Sequence, residues 1–296
     1  MLTAGGDVDD EEGYRLDLGF AWMPSQRTTV TVLGSRADTS ADFSDFQSST
    51  VSVGVDHSFG TLGIAADARW WGDPDVVDSR ALGASLYADL AEWRLAGRAE
   101  IRQSDFEAFG FNTVVPVRTP TGIVLVPISG TADCDLDNRA YGLSLSRSGE
   151  SWSFSFGGTS FDYDETSCAT SNVVVPPQIG NLPRISREIF RRIAARVVDS
   201  TARLIGTRLT RENGFLESTV NAGLSFTAGE WTWAADYFHD REEFVGLESD
   251  TLVGSVTMPV GGRADLELRL GATDTDLTGT VGFAGLTFYV YFGGGE

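Results

Sequence analysis

The chain contains no lysine: its 22 cations are all arginine, set against 42 acidic residues for a formal charge of −20. Such an imbalance excludes nucleic acid as a partner, because two polyanions repel. No uninterrupted apolar run reaches the length of a transmembrane helix, which excludes a helical membrane protein. It leaves open a membrane barrel, whose signal is alternation over roughly ten residues. Proline is scarce at 9 against 34 glycines, as strands and tight turns require. Only two histidines, His57 and His239, are available as near-neutral bases. No phosphate loop, nucleophile elbow or zinc-ligand spacing accompanies them, so neither a cofactor nor a metal is expected. Cys134 and Cys168 form no CxxC pair and stand near no histidine; in an exported chain they read as one disulfide. The first residues, MLTAGGDVDDEEG, lack the basic and apolar regions of a signal peptide, so Met1 is read as a truncation or an introduced start.

What the sequence does have is alternation. Tyr14, Leu16, Leu18, Phe20 and Trp22 share one face of an extended segment, with Arg15, Asp17, Gly19 and Ala21 on the other. The same pattern recurs in Val51–Phe59, Leu62–Trp70, Trp93–Ile101, Tyr141–Leu145, Trp152–Phe156, Val220–Phe226, Trp231–Tyr237 and Ala264–Leu270. Short turns alternate with connections read as long and polar, including 37–48 and 72–79. Trp22, Phe59, Trp93, Trp152, Phe226 and Trp231 stand beside the short turns, where an interfacial girdle belongs. A soluble sandwich would fill the enclosed face with Val, Leu and Phe. Here that face carries small, hydroxyl and charged residues, so the apolar face is predicted to meet lipid.

The last stretch, TVGFAGLTFYVYF from Thr280 to Phe292, carries Leu286, Phe288, Val290 and Phe292 on one side and Thr287, Tyr289 and Tyr291 on the other. It resembles the C-terminal assembly signal of bacterial outer-membrane β-barrels, an alternating aromatic strand ending in Phe. The resemblance covers the strand pattern of most of the chain and identifies no single member. It departs in one respect, since residues 293–296 follow the Phe as an added or native tail. The resemblance implies a bacterial outer-membrane location, contact with the bilayer and with lipopolysaccharide, and recognition of the last strand by the barrel-assembly machinery.

The expected fold is therefore all-β: a transmembrane, antiparallel up-and-down β-barrel of about 14 strands, forming one domain over 1–292. About thirteen strands are visible directly. If the last strand ends in the periplasm, an ascending strand must precede Tyr14, and Leu2–Gly5 is assigned to it, with Asp7–Glu12 as its loop. Splitting or adding one strand would give the same odd number.

Two loops are more than connections. Residues 104–137 contain Thr113–Val117 and Gly122–Val126 about a Thr119-Pro120-Thr121 turn, a hairpin projecting above the membrane that either packs over the mouth or binds a partner. Residues 164–212 contain the one helical pattern, with Ile185, Ile189, Ile193 and Val197 four apart. Ser186 is its N-cap and Gly206 its stop. Its polar side carries Arg187, Arg191, Arg192 and Arg196. This amphipathic helix has three competing placements: in the lumen as a constriction, on the outer leaflet against lipopolysaccharide phosphates, or as a cap. The disulfide would staple the two loops together.

The inward face brings together Arg15 with Asp17, Asp67 with Arg69, Arg98 with Glu100 and Arg102, and Arg263 with Asp265, Glu267 and Arg269. In a water-filled pore these groups set a transverse field; in a closed barrel they are interstrand ion pairs. His239 lies close in sequence to Asp236 and Asp240 at the outer rim, a loose match to outer-membrane proteases, but a non-enzyme is expected. Asp133, Asp135 and Asp137 read as an exposed acidic run rather than an ion site. Two functions remain. One is a porin-like channel for passive diffusion of small hydrophilic solutes, constricted by the arginine-rich helix. The other is a non-conducting anchor or translocator barrel of a larger secretion system, with a partner protein or an N-terminal domain missing from this sequence.

Overall fold

The structure is a computed structural model that describes residues 1–10, 13–41, 44–73, 77–119, 122–164, 167–174, 215–243, 248–275 and 279–292. Within these, the side chains of 39–41, 44–46, 107–119, 122–133 and 167–174 are outside the description.

Alternating residues with branched or aromatic side chains on one face favour extended backbone, and each segment pairs with its sequence neighbour through a tight turn. The strands are β1 (Leu2–Asp9), β2 (Tyr14–Ser25), β3 (Thr28–Ala41), β4 (Ser44–Ser58) and β5 (Leu62–Asp73). β6 (Val77–Leu90), β7 (Trp93–Thr119), β8 (Gly122–Ser148), β9 (Trp152–Tyr163) and β10 (Ser167–Val174) follow. β11 (Leu216–Ala228), β12 (Trp231–Glu242), β13 (Glu248–Pro259), β14 (Ala264–Thr275) and β15 (Gly279–Val290) complete the order.

Every pairing is antiparallel, and the first strand pairs with the last, Leu2 opposite Val290 and Asp9 opposite Phe283. β9 pairs with both β8 and β11, which closes the cylinder. β10 does not add a wall. It continues along the same edge of β8 where β9 stops, with Asn138 opposite Tyr163 and then Asp135 opposite Ser167. The 15 strands thus make a closed barrel of 14, in which β9 and β10 occupy one position. Closure removes every open edge, which a bilayer demands of spanning strands.

Three expectations change. Residues 37–48 and 72–79, read as polar loops, are paired backbone: β3 and β4 stay in register to Ala41 opposite Ser44, and β5 and β6 to Asp73 opposite Val77. The hairpin at 104–137 is continuous with the wall, β7 and β8 pairing from Trp93–Arg147 to Thr119–Gly122 with one irregularity between Phe106 and Phe109. Asp7, assigned to the first loop, belongs to β1 and faces inward, 6% exposed. Beyond the apolar belt polar residues continue along paired strands, so polarity there does not mark a loop. The helix expected at 185–206, with Arg187, Arg191, Arg192 and Arg196, lies outside the described residues, as does the tail at 293–296.

The apolar side chains point away from the axis. Leu16, Leu18, Leu82, Leu86, Leu143, Leu252 and Leu270 are each more than half exposed. The exterior ends in aromatics beside the short turns, where Phe226 and Trp231 stack on Trp233 with centroids 6.4 and 6.2 Å away. Arg147 lies over both Trp93 and Trp152, at 5.2 and 5.4 Å, and pairs with Glu92 at 2.9 Å. An aromatic belt with one snorkelling arginine is the pattern of a membrane–water boundary.

Candidate functional site: the lumen and the outer rim

Alternation along β7 sends Arg94, Arg98, Glu100 and Arg102 inward, and along β5 it does the same for Asp67 and Arg69. Arg98 forks onto Asp67, Nη1 to Oδ1 at 2.6 Å and Nη2 to Oδ2 at 2.9 Å. Its Nη2 also donates to Glu100 Oε2 at 2.9 Å. Arg102 donates to the other oxygen of Glu100 at 3.1 Å, and Arg69 reaches Oε2 at 3.4 Å. Three guanidiniums thus surround one buried carboxylate. Charge-assisted pairs in such a network hold each other's geometry and are strong when desolvated. Arg98 reaches Asp67 by passing over β6 at Gly83, where a Cβ would strike the guanidinium.

A second network lines the seam. Arg269 of β14 pairs with Asp7 of β1 at 2.9 Å, crossing β15 at Gly285, where a Cβ would collide with the Asp7 carboxylate. Arg269 also donates to Thr287 at 3.2 Å, and Tyr289 donates to Glu267 at 2.6 Å. Arg15 pairs with Asp17 at 2.7 Å on β2. Near the short turns, Tyr87 donates to Asp56 at 3.0 Å and Arg94 to Asp89 at 2.6 Å.

Against the seam network lies a chamber of about 370 Å³. Hydroxyls of Thr3, Thr31, Ser35, Thr50, Ser52, Thr287 and Tyr289 line it, together with Arg15, Asp17, Glu267 and Arg269. Of the residues expected on the inward face, Arg15, Asp17, Asp67, Arg69, Arg98, Glu100, Arg102, Glu267 and Arg269 all enter one or other network. Asp265 sits lower, accepting from Tyr291 at 2.8 Å. Arg263 is not on the wall; it is an exposed residue of the β13–β14 turn. The strand begins at Ala264, one residue beyond it.

Toward the opposite end the lumen changes character. Phe215, just before β11, packs against Phe106 of β7 and Trp71 of β5, with ring centroids 5.4 and 6.5 Å apart. These three and Leu216 are between 0 and 3% exposed. Val253 and Phe283 form a second inward apolar spot with Phe238. None of these was singled out as lumen-facing from sequence, because Phe106 falls within the stretch read as a projecting loop and Trp71 is the inward half of a Trp-Trp pair. Beside them Asp240 and Glu242 face inward, 1 and 6% exposed. Their outward neighbours on β12 are His239 and Arg241, so both acids stand beyond the apolar belt. Burial, and then the neighbouring Asp240, push the Glu242 carboxyl up to about 8.

The same alternation separates the residues of the proposed rim protease. His239 faces outward, with Nδ1 3.0 Å from Asp250, which also accepts from Tyr237 at 2.6 Å. Asp236 faces the other way, toward Gly223 and Ser155, and Asp240 is buried inside. The acid–base cluster suggested by sequence proximity does not assemble. His57 also faces outward, 2.9 Å from Thr28 beside a short turn. Asp135 and Asp137 lie outward on β8, and among the described residues no group of three or more His, Cys, Asp or Glu is placed to hold a metal. Cys134 and Cys168 stand directly opposite one another on β8 and β10.

No protein-family model matches this sequence, and no curated protein matches it. Among solved structures it is similar to the CymD monoaromatic hydrocarbon channel, with a TM-score of 0.55 at 10% identity, covering 100% of this chain and 89% of that one. The translocator domain of the autotransporter NalP from Neisseria meningitidis gives 0.44 at 11% identity over 98% and 88%. The KdgM porin gives 0.42 at 7% identity over 98% and 99%. The likeness to the first of these spans the whole of this chain and is one of fold. The chain has the fold of the bacterial outer-membrane β-barrels.

Proposed function

We propose that this outer-membrane barrel is a channel for passive diffusion of small hydrophilic solutes, with the arginine-rich segment at 185–206 folded inward as its constriction. The observation that carries the reading is the hydroxyl-rich chamber of about 370 Å³ lined by the charged residues of the seam. Side chains of that kind exchange hydrogen bonds with a passing solute without binding it tightly, which conduction requires. The excess of carboxylates over guanidiniums on the described inward wall supports the placement of the segment, since Arg187, Arg191, Arg192 and Arg196 carry the opposite charge. Purified barrel in a planar bilayer is expected to give stepwise openings, larger once 185–206 is deleted. Silence both before and after deletion sinks the channel.

The apolar contact of Trp71, Phe106 and Phe215 across the upper lumen favours a second reading, a non-conducting anchor or translocator barrel. Silence would select it. We also infer that Cys134 and Cys168 form a disulfide, on the ground that their backbones are register partners. Two free thiols in protein taken from membranes, measured by mass spectrometry, would refute it.

A further inference from the structure

On β5 to β8 the apolar barrel exterior is hollowed. A groove of about 480 Å³ opens there, on the side of the wall away from the short turns. Its shape follows from register. One row across the strands reads Trp70, Arg80, Gln103 and Asp137; the row beneath reads Ala68, Leu82, Ile101 and Arg139. The short Ala68 side chain beside Trp70 leaves the depression, and Leu82 and Ile101, each 58% exposed, form an apolar floor. The floor is continuous with the lipid-facing belt below it.

Two guanidiniums stand over this floor. Arg80 and Arg139 have side chains 64 and 57% exposed, so both keep donors free for a ligand. Arg139 holds Asp164 only loosely, at 3.7 Å, and Arg80 holds Asp78 at 2.9 Å through one nitrogen. They sit two strands apart and one residue pair apart along the wall, which places their backbones about 12 Å from each other. A groove on a lipid-facing wall is filled by lipid. Arg80 stands in the row above the apolar floor and Arg139 ends the row of Leu82 and Ile101, so the two cations flank apolar surface, which matches an amphiphile with anionic head and acyl tail.

We propose that this groove is a specific site for a bisphosphorylated glycolipid of the outer leaflet. One phosphate would lie on Arg80 and one on Arg139, with the sugar between them over Gln103 and an acyl chain on Leu82 and Ile101. A glycerophospholipid with a single phosphate satisfies one arginine. A glycolipid phosphorylated at both ends of a disaccharide satisfies both, and arginine forks onto phosphate with two hydrogen bonds. Asp137 and Asp164 in the lining repel a phosphate placed elsewhere in the groove, so they fix its register rather than abolish binding. The site rests on the outer-membrane placement and is independent of whether the barrel conducts.

Native mass spectrometry on the full chain in detergent tests it, with bisphosphoryl lipid A, monophosphoryl lipid A and phosphatidylglycerol titrated separately. The bisphosphorylated lipid is expected to bind about tenfold more tightly than either of the others, a second charged phosphate contact being worth that much. Arg80→Gln and Arg139→Gln should each lower its affinity about tenfold toward the monophosphoryl value. Both side chains are exposed and on the rim, so heat-modifiable migration of the variants should match the parent. Arg147→Gln, at the opposite rim, should leave binding unchanged. Equal affinity for phosphatidylglycerol overturns the proposal, as does bisphosphoryl binding that survives both substitutions or falls equally with Arg147→Gln.

Discussion

Gly285 and Gly83 are the residues on which the two ion networks turn. A guanidinium spans two strand spacings only if the strand between them has no side chain on that face, and a Cβ at either position would occupy the path of the pair it separates. Glu242 presents the opposite case, a buried carboxyl whose Oε2 finds no hydrogen-bond partner among the described residues. An unpaired buried carboxylate is penalised in its ionised form, so its proton is retained up to about 8 in the folded barrel against 4.5 for the free group. The sign follows from proton counting: between these two values the folded state holds a proton that the unfolded state has lost, so stability falls as pH rises through that window. The contribution is fully present below the ordinary value and gone above the raised one. Glu242→Gln, which keeps the shape and removes the ionisation, should flatten this dependence and make the variant the more stable protein at pH about 9. Denaturant unfolding in detergent across pH measures it, and matching slopes for parent and variant would show that Glu242 does not titrate there.

The strands were the most legible elements, because a lipid-facing strand with a polar interior writes its register as strict alternation. β2, from Tyr14 to Trp22, is readable residue by residue, and its inward set did prove to carry Arg15 and Asp17. The boundaries were less legible for the same physical reason. Beyond the apolar belt both faces are polar, so the paired stretches at 37–48 and 72–79 look like loops although their backbones remain in register. Inward aromatics were less legible: Phe106 falls in a stretch read as a projecting loop and Phe215 just beyond another, where no alternation assigned a face, and Phe283 precedes the alternating run that starts at Gly285. His239 shows the converse limit: closeness in sequence to Asp236 and Asp240 meant opposite faces in space. The alternation also sets an energetic asymmetry between neighbouring positions. Leu143, 70% exposed in the middle of the outward set of β8, should cost about 2–4 kcal/mol when replaced by Arg. Ser52→Arg, facing the chamber, should cost far less. Unfolding free energies in lipid vesicles compare the two, and equal penalties would mean that the belt does not face hydrocarbon.

At the scale of the whole molecule, the lumen is a tapering sequence of environments: hydroxyls and ion pairs toward the short turns, apolar contacts and buried acids toward the other end. Its charge is uneven. Among the described residues the inward wall carries Asp7, Asp17, Asp56, Asp67, Asp73, Asp89, Glu100, Asp236, Asp240, Glu242, Asp265 and Glu267. Its guanidiniums are Arg15, Arg69, Arg94, Arg98, Arg102 and Arg269. Carboxylates therefore outnumber guanidiniums along the wall, and a low-dielectric cylinder focuses that excess onto its axis. If solutes pass, the wall favours cations; folded inward as proposed, the segment at 185–206 would bring five arginines against two acids and oppose that preference. The two contributions separate experimentally. In a salt gradient across a planar bilayer, the reversal potential of the barrel lacking 185–206 should shift toward cation permeation relative to the full chain. High ionic strength should shrink the shift, because exposed charges are screened over about 8–10 Å at ordinary salt and less above it. An unchanged reversal potential on deletion would place the arginines outside the conduction path, and a shift toward anions would contradict the sign of the charge the segment is proposed to bring there.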